Sequence, residues 1–216
     1  MASSSRRLYV DVGNMALSEI NCAETYFRGL ARTLQTLALD GIDEIAQALL
    51  RAYKDRSSVF VFGNGGSAAL ASHMACDLGK GTAIDGCERF RVMSLTDNVA
   101  LMTAWANDAR YEDIFAEQLR NFIRPGDVAF AISGSGNSPN VLNGLRAARD
   151  AGGFNIGLAG YQGGSMKALC DLCMVVPSEN MQVIEDLHLS ISHCLFSLVH
   201  NEIAEIPAAV IHSTRP

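Results

Sequence analysis

The sequence has no apolar run long enough to cross a bilayer. Its first residues, Met-Ala-Ser-Ser-Ser-Arg-Arg, lack the apolar stretch and cleavage site of a secretory leader. A cytoplasmic protein without a membrane partner is therefore expected. There is no excess of positive charge either: 17 Lys and Arg face 23 Asp and Glu, and the formal net charge of -6 excludes a general attraction to nucleic acid. No second CxxC accompanies Cys170 and Cys173, so a paired-knuckle metal site is not indicated. That pair opens a strand-like run and reads as structural. Of the six cysteines, Cys22, Cys76, Cys87, Cys170, Cys173 and Cys194, most sit in apolar segments and read as reduced, buried small residues. Internal repeats and low-complexity linkers are also missing.

What remains is a well-packed globular composition, 49% hydrophobic and 19% charged over 216 residues. That length suffices for one sizeable core plus a helical extension. Residues 14 to 54 contain no proline, and Leu30, Leu34, Leu37, Ala38, Ile45 and Leu49 recur at spacings of three and four. One or two helices are expected there, broken near Gly41. Beyond them, strands are expected at 58–62, 91–95, 127–132, 155–159 and 173–177. Helices are expected at 68–78, 100–106, 111–122, 139–151 and 183–202. Strands alternating with helices imply a mainly parallel sheet covered on both faces. Trp105 and Met102 read as core packing.

Two loops carry the chemistry. The second, Ile132-Ser-Gly-Ser-Gly-Asn-Ser138, joins a buried strand to a helix expected to start at Pro139 with Ser138 as its N-cap. Glycines at 134 and 136 let the backbone curl around a ligand, and Ser133, Ser135 and Ser138 offer hydroxyls. The free N–H groups and the dipole of the following helix favour an anion. These are the parts needed to hold a phosphate monoester at the carboxyl edge of an α/β sheet. The bland reading is an ordinary serine–glycine turn. A P-loop is excluded because no Gly-Lys-Ser/Thr follows, and no GxGxxG follows the first strand to mark a dinucleotide fold. The earlier loop, Gly63-Asn-Gly-Gly-Ser67, has the same strand–loop–helix setting, with Asn64 and Ser67 able to bond a ligand. Two such loops at one sheet edge suggest one extended site.

At these loops, and at Asn107-Asp108, Gly126-Asp-Val128, Gly160-Tyr-Gln-Gly-Gly164 and Glu185-Asp-Leu-His188 with His193, the chain resembles the sugar isomerase (SIS) domain family. The matching pieces run in the family's order from about residue 20 to 203. The resemblance implies a three-layer, flavodoxin-like α/β fold with a five-stranded parallel sheet. It divides the chain into a helical extension, 1–55, serving packing or oligomerisation, and an SIS domain, 56–216. It also implies a homotetramer with active sites at subunit interfaces, and an isomerase that interconverts a ketose phosphate and an aldose phosphate through an enediol. Sedoheptulose 7-phosphate, giving D-glycero-D-manno-heptose 7-phosphate, or a close analogue is the implied substrate.

Carried over position by position, the resemblance places a histidine of the early helix at His73 and the family's catalytic glutamate at Asp77. A last-helix glutamine falls on Glu185 and a catalytic histidine on His193. Asp77 is then the base, His193 the acid, and His73, Asp77, Glu185 and His193 a ligand set suited to Zn²⁺ or another divalent transition metal. Substrate contacts fall on Asn64, Gly65, Ser67, Asp97, Asn107, Asp108, Ser133, Gly134, Ser135, Asn137, Ser138 and Glu185. Three positions depart from the family: Asp77 is one methylene shorter than glutamate, Glu185 puts a carboxylate where an amide is usual, and Gly134 stands where threonine is usual. Taken alone, His73 and His193 read equally as packing histidines, and Asp77 and Glu185 as surface carboxylates. His188 is left without a role. The competing functions are a non-catalytic SIS protein that binds a sugar phosphate or a replication initiator, and a different SIS enzyme such as a lyase or amino-sugar isomerase.

Overall fold

The computed structural model describes residues 17–206; the first residues and the last ten lie outside it. A short 3₁₀ turn leads to α1 (Ala23–Gln35) and α2 (Leu39–Lys54). Then follow β1 (Val59–Gly63), α3 (Gly66–Cys76), β2 (Val92–Ser94), α4 (Val99–Asp108), α5 (Ile114–Phe122) and β3 (Val128–Ser133). The chain ends with α6 (Pro139–Asp150), β4 (Phe154–Ala159), β5 (Leu172–Val175) and the long α7 (Met181–Ala204). Among the described residues no helix is long and apolar enough to cross a membrane.

The five strands form one sheet in the order β2-β1-β3-β4-β5, and every pairing is parallel. Period-two alternation in the strands splits their side chains between two cores. Val59, Val61, Val128, Phe130, Ile132, Ile156 and Leu158 face α2, α3 and α7. Phe60, Phe62, Ala129 and Ala131 face α5 and α6, where Phe62 and Phe115 meet at 5.2 Å between ring centroids. The central strands β1 and β3 are buried on both sides, which is why their sequences are continuously apolar rather than alternating.

The helical break falls between Gln35 and Leu39, not at Gly41. The Thr36 hydroxyl donates to the Thr33 carbonyl at 2.7 Å, drawing off the end of α1. Gly41 instead lies in the first turn of α2, where a Cβ would touch Met174 Sδ at 3.6 Å. Ile42, Ile45, Leu49 and Tyr53 of α2 are buried in the first core, at the three-four spacing read from sequence. α1 is largely exposed. It is tied down by Tyr26, whose hydroxyl donates to Asp186 of α7 at 2.5 Å; burial, and then that carboxylate, push the phenol up to about 12. Three further readings change. α7 begins at Met181, two residues earlier than expected, because the Asn180 side chain accepts from the N–H groups of Gln182 and Val183. Trp105 and Met102 only flank the second core, and α4 has no fully buried residue. The six cysteines are free thiols and none is buried: Cys22, Cys76 and Cys194 are exposed, the others half-buried.

Phe62 is 0% exposed between β1 and α5. Phe62→Ala should lower the unfolding free energy by about 3–5 kcal/mol, read as a lower urea midpoint at unchanged slope.

Candidate active site

β1 and β3 are neighbours, paired from Val59↔Val128 to Gly63↔Ile132. The chain leaving β1 enters α3 on one face of the sheet, and the chain leaving β3 enters α6 on the other. The crevice opens where they part, at the carboxyl edge, the place at which doubly wound sheets bind ligands. Gly65, with φ 56° and ψ -122°, makes the turn into α3 in a backbone conformation closed to residues with a side chain. Gly136 (φ 64°) does the same for the serine loop, and a Cβ there would lie 2.1 Å from the Gly163 carbonyl.

The serine loop is tightly cross-braced. Ser133 Oγ accepts the Gly136 N–H at 3.2 Å, and Ser135 Oγ accepts the Asn137 N–H at 3.2 Å. Each hydroxyl thereby spends a lone pair inside the loop and keeps its hydrogen for an incoming acceptor. Ser138 occupies the N-cap position of α6, but its hydroxyl bonds no helix N–H; it lies 3.4 Å from Ser133 Oγ, facing the crevice. The expected cap is therefore positional only. Asn137 is a brace: its Oδ1 accepts the Ser165 N–H at 2.9 Å, fastening the loop to the 3₁₀ turn Gly164–Ala168. Asn64 is also committed. It exchanges hydrogen bonds with Asn140 at 2.9 and 2.8 Å and accepts from Tyr111 at 3.0 Å, so it joins the two loops while also lining the pocket between them. Asn140 and Tyr111 are bracing positions that sequence reasoning missed. Only the place of Asn140, directly after Pro139 at a helix start, could have signalled it.

The pocket between the loops has a volume of about 250 Å³ and is lined by Asn64 to Ser67, Ile132 to Ser135, Ser138, Met181 and Glu185. It has no Lys or Arg in its lining, so hydroxyls and two helix N-termini must hold an anion there. A second cavity of about 290 Å³ continues along α3 and α7, sharing Gly66, Ser67 and Glu185 with the first and reaching His73 and His188. Glu185 stands at the junction; its carboxylate lies 2.6 Å from where a Cβ on Gly66 would be. Met181, one turn before Glu185 on the same helix face, fills the space over Gly134, whose Cβ would sit 2.5 Å from the Met181 sulfur. That crowding accounts for a bare glycine within a serine-rich loop.

Beyond Glu185, three of the four proposed metal ligands converge. His73 Nε2 and His193 Nε2 are 2.9 Å apart, and Asp77 Oδ2 lies 3.3 Å from the first and 3.9 Å from the second. Tetrahedral ligands about 2.1 Å from a Zn²⁺ are about 3.4 Å from each other, a spacing these distances bracket. Two imidazoles and one carboxylate could hold a divalent metal ion and leave a position open. Glu185 is not part of this trio. Asp77 is presented by a π-helical turn, Asp77–Gly81, that widens the end of α3. His200 of α7 bonds that turn at the Gly81 carbonyl, 3.0 Å away. The helix expected to run through 68–78 thus starts earlier and ends at Cys76, and the register of the last turn is what aims the carboxylate.

Other expected contacts fall elsewhere within one chain. Asp97 accepts from the Ser72 hydroxyl beside an open groove along β2. Asn107 and Asp108 close α4, bonded to each other at 2.8 Å, and line neither cavity. His188 is wholly buried; its Nε2 faces the Ala159 carbonyl at 3.0 Å and its Nδ1 has no partner.

Sheet order, crevice and paired loops define a doubly wound α/β protein with a hydroxyl-lined pocket at its topological switch point. The family model described as SIS domain matches residues 25–160. A phosphoheptose isomerase from Rhodospirillum rubrum is 41% identical over 160 residues, covering 74% of this chain and 85% of that protein. Another, from Trichlorobacter lovleyi, is 36% identical over 165 residues, covering 73% and 80%. The solved structure of phosphoheptose isomerase from Neisseria gonorrhoeae superposes with a TM-score of 0.77 at 27% identity, covering 82% of this chain and 96% of that one. The chain belongs to the SIS-domain family, among its phosphoheptose isomerases.

Burial holds the His188 imidazole neutral, its affinity for a proton lowered below the ordinary value. The unfolded chain therefore binds a proton that the folded chain refuses, so stability is full above pH 6.5 and falls as the pH drops through the lower folded value. Denaturant unfolding at pH 7 and pH 5 should show a smaller loss of stability for His188→Gln than for the parent chain.

Proposed function

We propose that the chain catalyses ketose–aldose isomerisation of a heptose phosphate, sedoheptulose 7-phosphate being the substrate that the phosphoheptose isomerase relatives suggest. The observation that carries this reading is continuity. A hydroxyl-lined pocket shares Gly66, Ser67 and Glu185 with a second cavity that reaches His73, and His73 meets Asp77 and His193 in the trio, so an extended sugar anchored by its phosphate runs toward the trio. Ser67, Ser133, Ser135 and Ser138 donate to the phosphate, with the N-termini of α3 and α6 supplying the remaining stabilisation.

At the other end, the Asp77 carboxylate takes the proton from C1 of the ketose while His193 gives a proton to O2, forming the enediol. Asp77 then returns its proton to C2 as His193 recovers one from O1, leaving the aldose. His73, Asp77 and His193 would hold a Zn²⁺ through the converging Nε2, Oδ2 and Nε2 atoms, which when bound would supply polarisation of the carbonyl. The proton given by His193 would then sit on Nδ1 and the lone pair used by Asp77 on Oδ1. The shorter Asp77 side chain is offset by the π-helical turn that carries it and by its closeness to both imidazoles. In the single chain the trio is open to solvent: His73 and His193 are 47% and 51% exposed. A cytoplasmic homotetramer that closes this opening with a neighbouring copy fits that exposure. It also suits α4, with Val99 exposed, and the extension, where Phe27 and Leu34 of α1 are exposed.

Asp77→Asn should lower kcat by about 10²–10⁴-fold with an unchanged urea midpoint. Ser138→Ala, which removes no helix bond, should raise KM about tenfold and spare kcat. Assays of both variants with sedoheptulose 7-phosphate check this. Product formation by Asp77→Asn at the parent rate would remove the base, and no product from the parent chain would leave a sugar-phosphate holder. Metal content of His193→Gln separates the two duties of that ring: activity lost with metal retained assigns the proton, and both lost together assigns the ligand.

A further inference from the structure

We propose that Cys170 and Cys173 form a redox-active dithiol that closes to a disulfide by exchange with a small-molecule disulfide. This site lies away from the crevice and does not depend on the isomerase reading.

Cys173 is in β5, directly opposite Gly157 of β4. Gly157 has no side chain on the face where Cys173 points, and both sulfurs use that space: a Cβ on Gly157 would lie 2.8 Å from Cys170 Sγ and 3.3 Å from Cys173 Sγ. The missing side chain thus gives two thiols a common niche. The backbone around them is pinned. Cys170 N–H donates to the Met166 carbonyl at 3.1 Å, Asp171 N–H to the Asn155 carbonyl at 2.8 Å, and the Asp171 carboxylate accepts the Asn155 N–H at 2.7 Å. Both cysteines are half-buried, so neither is sealed from a small oxidant.

The two thiols are not equivalent. The neighbouring Cys170 thiol holds Cys173 below the ordinary thiol range, with burial opposing and Lys167 helping. The neighbouring Cys173, then burial and the Asp171 carboxylate, push Cys170 above that range, with Arg149 opposing. One sulfur is therefore prepared to attack while the other keeps its proton. The Cys173 thiolate attacks one sulfur of the small disulfide and expels one thiolate, leaving a mixed disulfide on Cys173. Capping removes the negative charge that held the proton on Cys170. Cys170 then loses that proton and attacks Cys173 Sγ, expelling the second thiolate. The protein gives up two electrons and two protons, and the small disulfide becomes two thiols. The new bond would brace β5 to the 3₁₀ turn Gly164–Ala168, whose Met166 N–H holds the serine loop at the Gly136 carbonyl, 2.9 Å away.

The test incubates the full chain with oxidised glutathione, blocks remaining thiols with N-ethylmaleimide and maps the peptides by mass spectrometry. The peptide containing Cys170 and Cys173 should escape alkylation and be lighter by two hydrogens, and dithiothreitol should reverse this. Cys170→Ser should stop at a glutathione adduct on Cys173, whereas Cys173→Ser should leave Cys170 alkylated and free of glutathione. Full alkylation of both residues in the parent chain would overturn the proposal. So would an adduct on Cys170 in Cys173→Ser together with an unmodified Cys173 in Cys170→Ser.

Discussion

Side by side and parallel, β1 and β3 send their chains to opposite faces of the sheet, and everything else at the site follows from that divergence. Neither helix can cover the gap between them, because α3 is committed to one core and α6 to the other. The crevice therefore stays open at the carboxyl edge, and two helix N-termini end beside it. A chain of neutral braces keeps the opening in shape: the Asn64–Asn140 pair across the gap, the hydroxyl-to-backbone bonds of the serine loop, and Asn137 fastening that loop to Ser165. No arginine or lysine is needed in either lining, since helix N–H groups and hydroxyl hydrogens already converge there.

The trio depends on a different pair of elements. α7 packs against α3, and it sets Met181 and Glu185 in the pocket lining and His193 two turns further on, against His73. α3 supplies His73 from its regular part and Asp77 from the π-helical turn. Because Phe196 packs where a Cβ on Gly81 would be, and His200 bonds the Gly81 carbonyl, the wider turn is held by the same helix that carries His193. Acid and imidazole thus share one support, which lets a shorter carboxylate come within 4 Å of both rings.

Much of this was legible in the linear chain. Five apolar runs alternating with three-four periodic segments give the parallel sheet, and the serine–glycine loop before Pro139 announces an anion pocket by its own chemistry. What was misread shows where local pattern loses to packing. Gly41 looks like a breaker, yet it sits within a helix because Thr36 ends the one before it. Asn64 lines the pocket, but nothing in the linear chain signals that its amide also braces Asn140, a partner 76 positions away. Glu185 looks like a fourth metal ligand by its place on α7, but the helix sets it at the junction of the two cavities, over Gly66, and outside the trio.

Taken by itself, the sequence determined the layered α/β architecture, the two glycine-rich loops and the residue types able to hold a phosphate, because these rest on periodicity and backbone freedom within a few residues. The tertiary structure alone decided that His73, Asp77 and His193 meet, that Glu185 stands apart from them, and that Cys170 and Cys173 share the space beside Gly157. Those outcomes depend on how one element turns against another distant in the chain: a shift of one residue turns a helical side chain by about 100° and sends a strand side chain to the opposite face of the sheet.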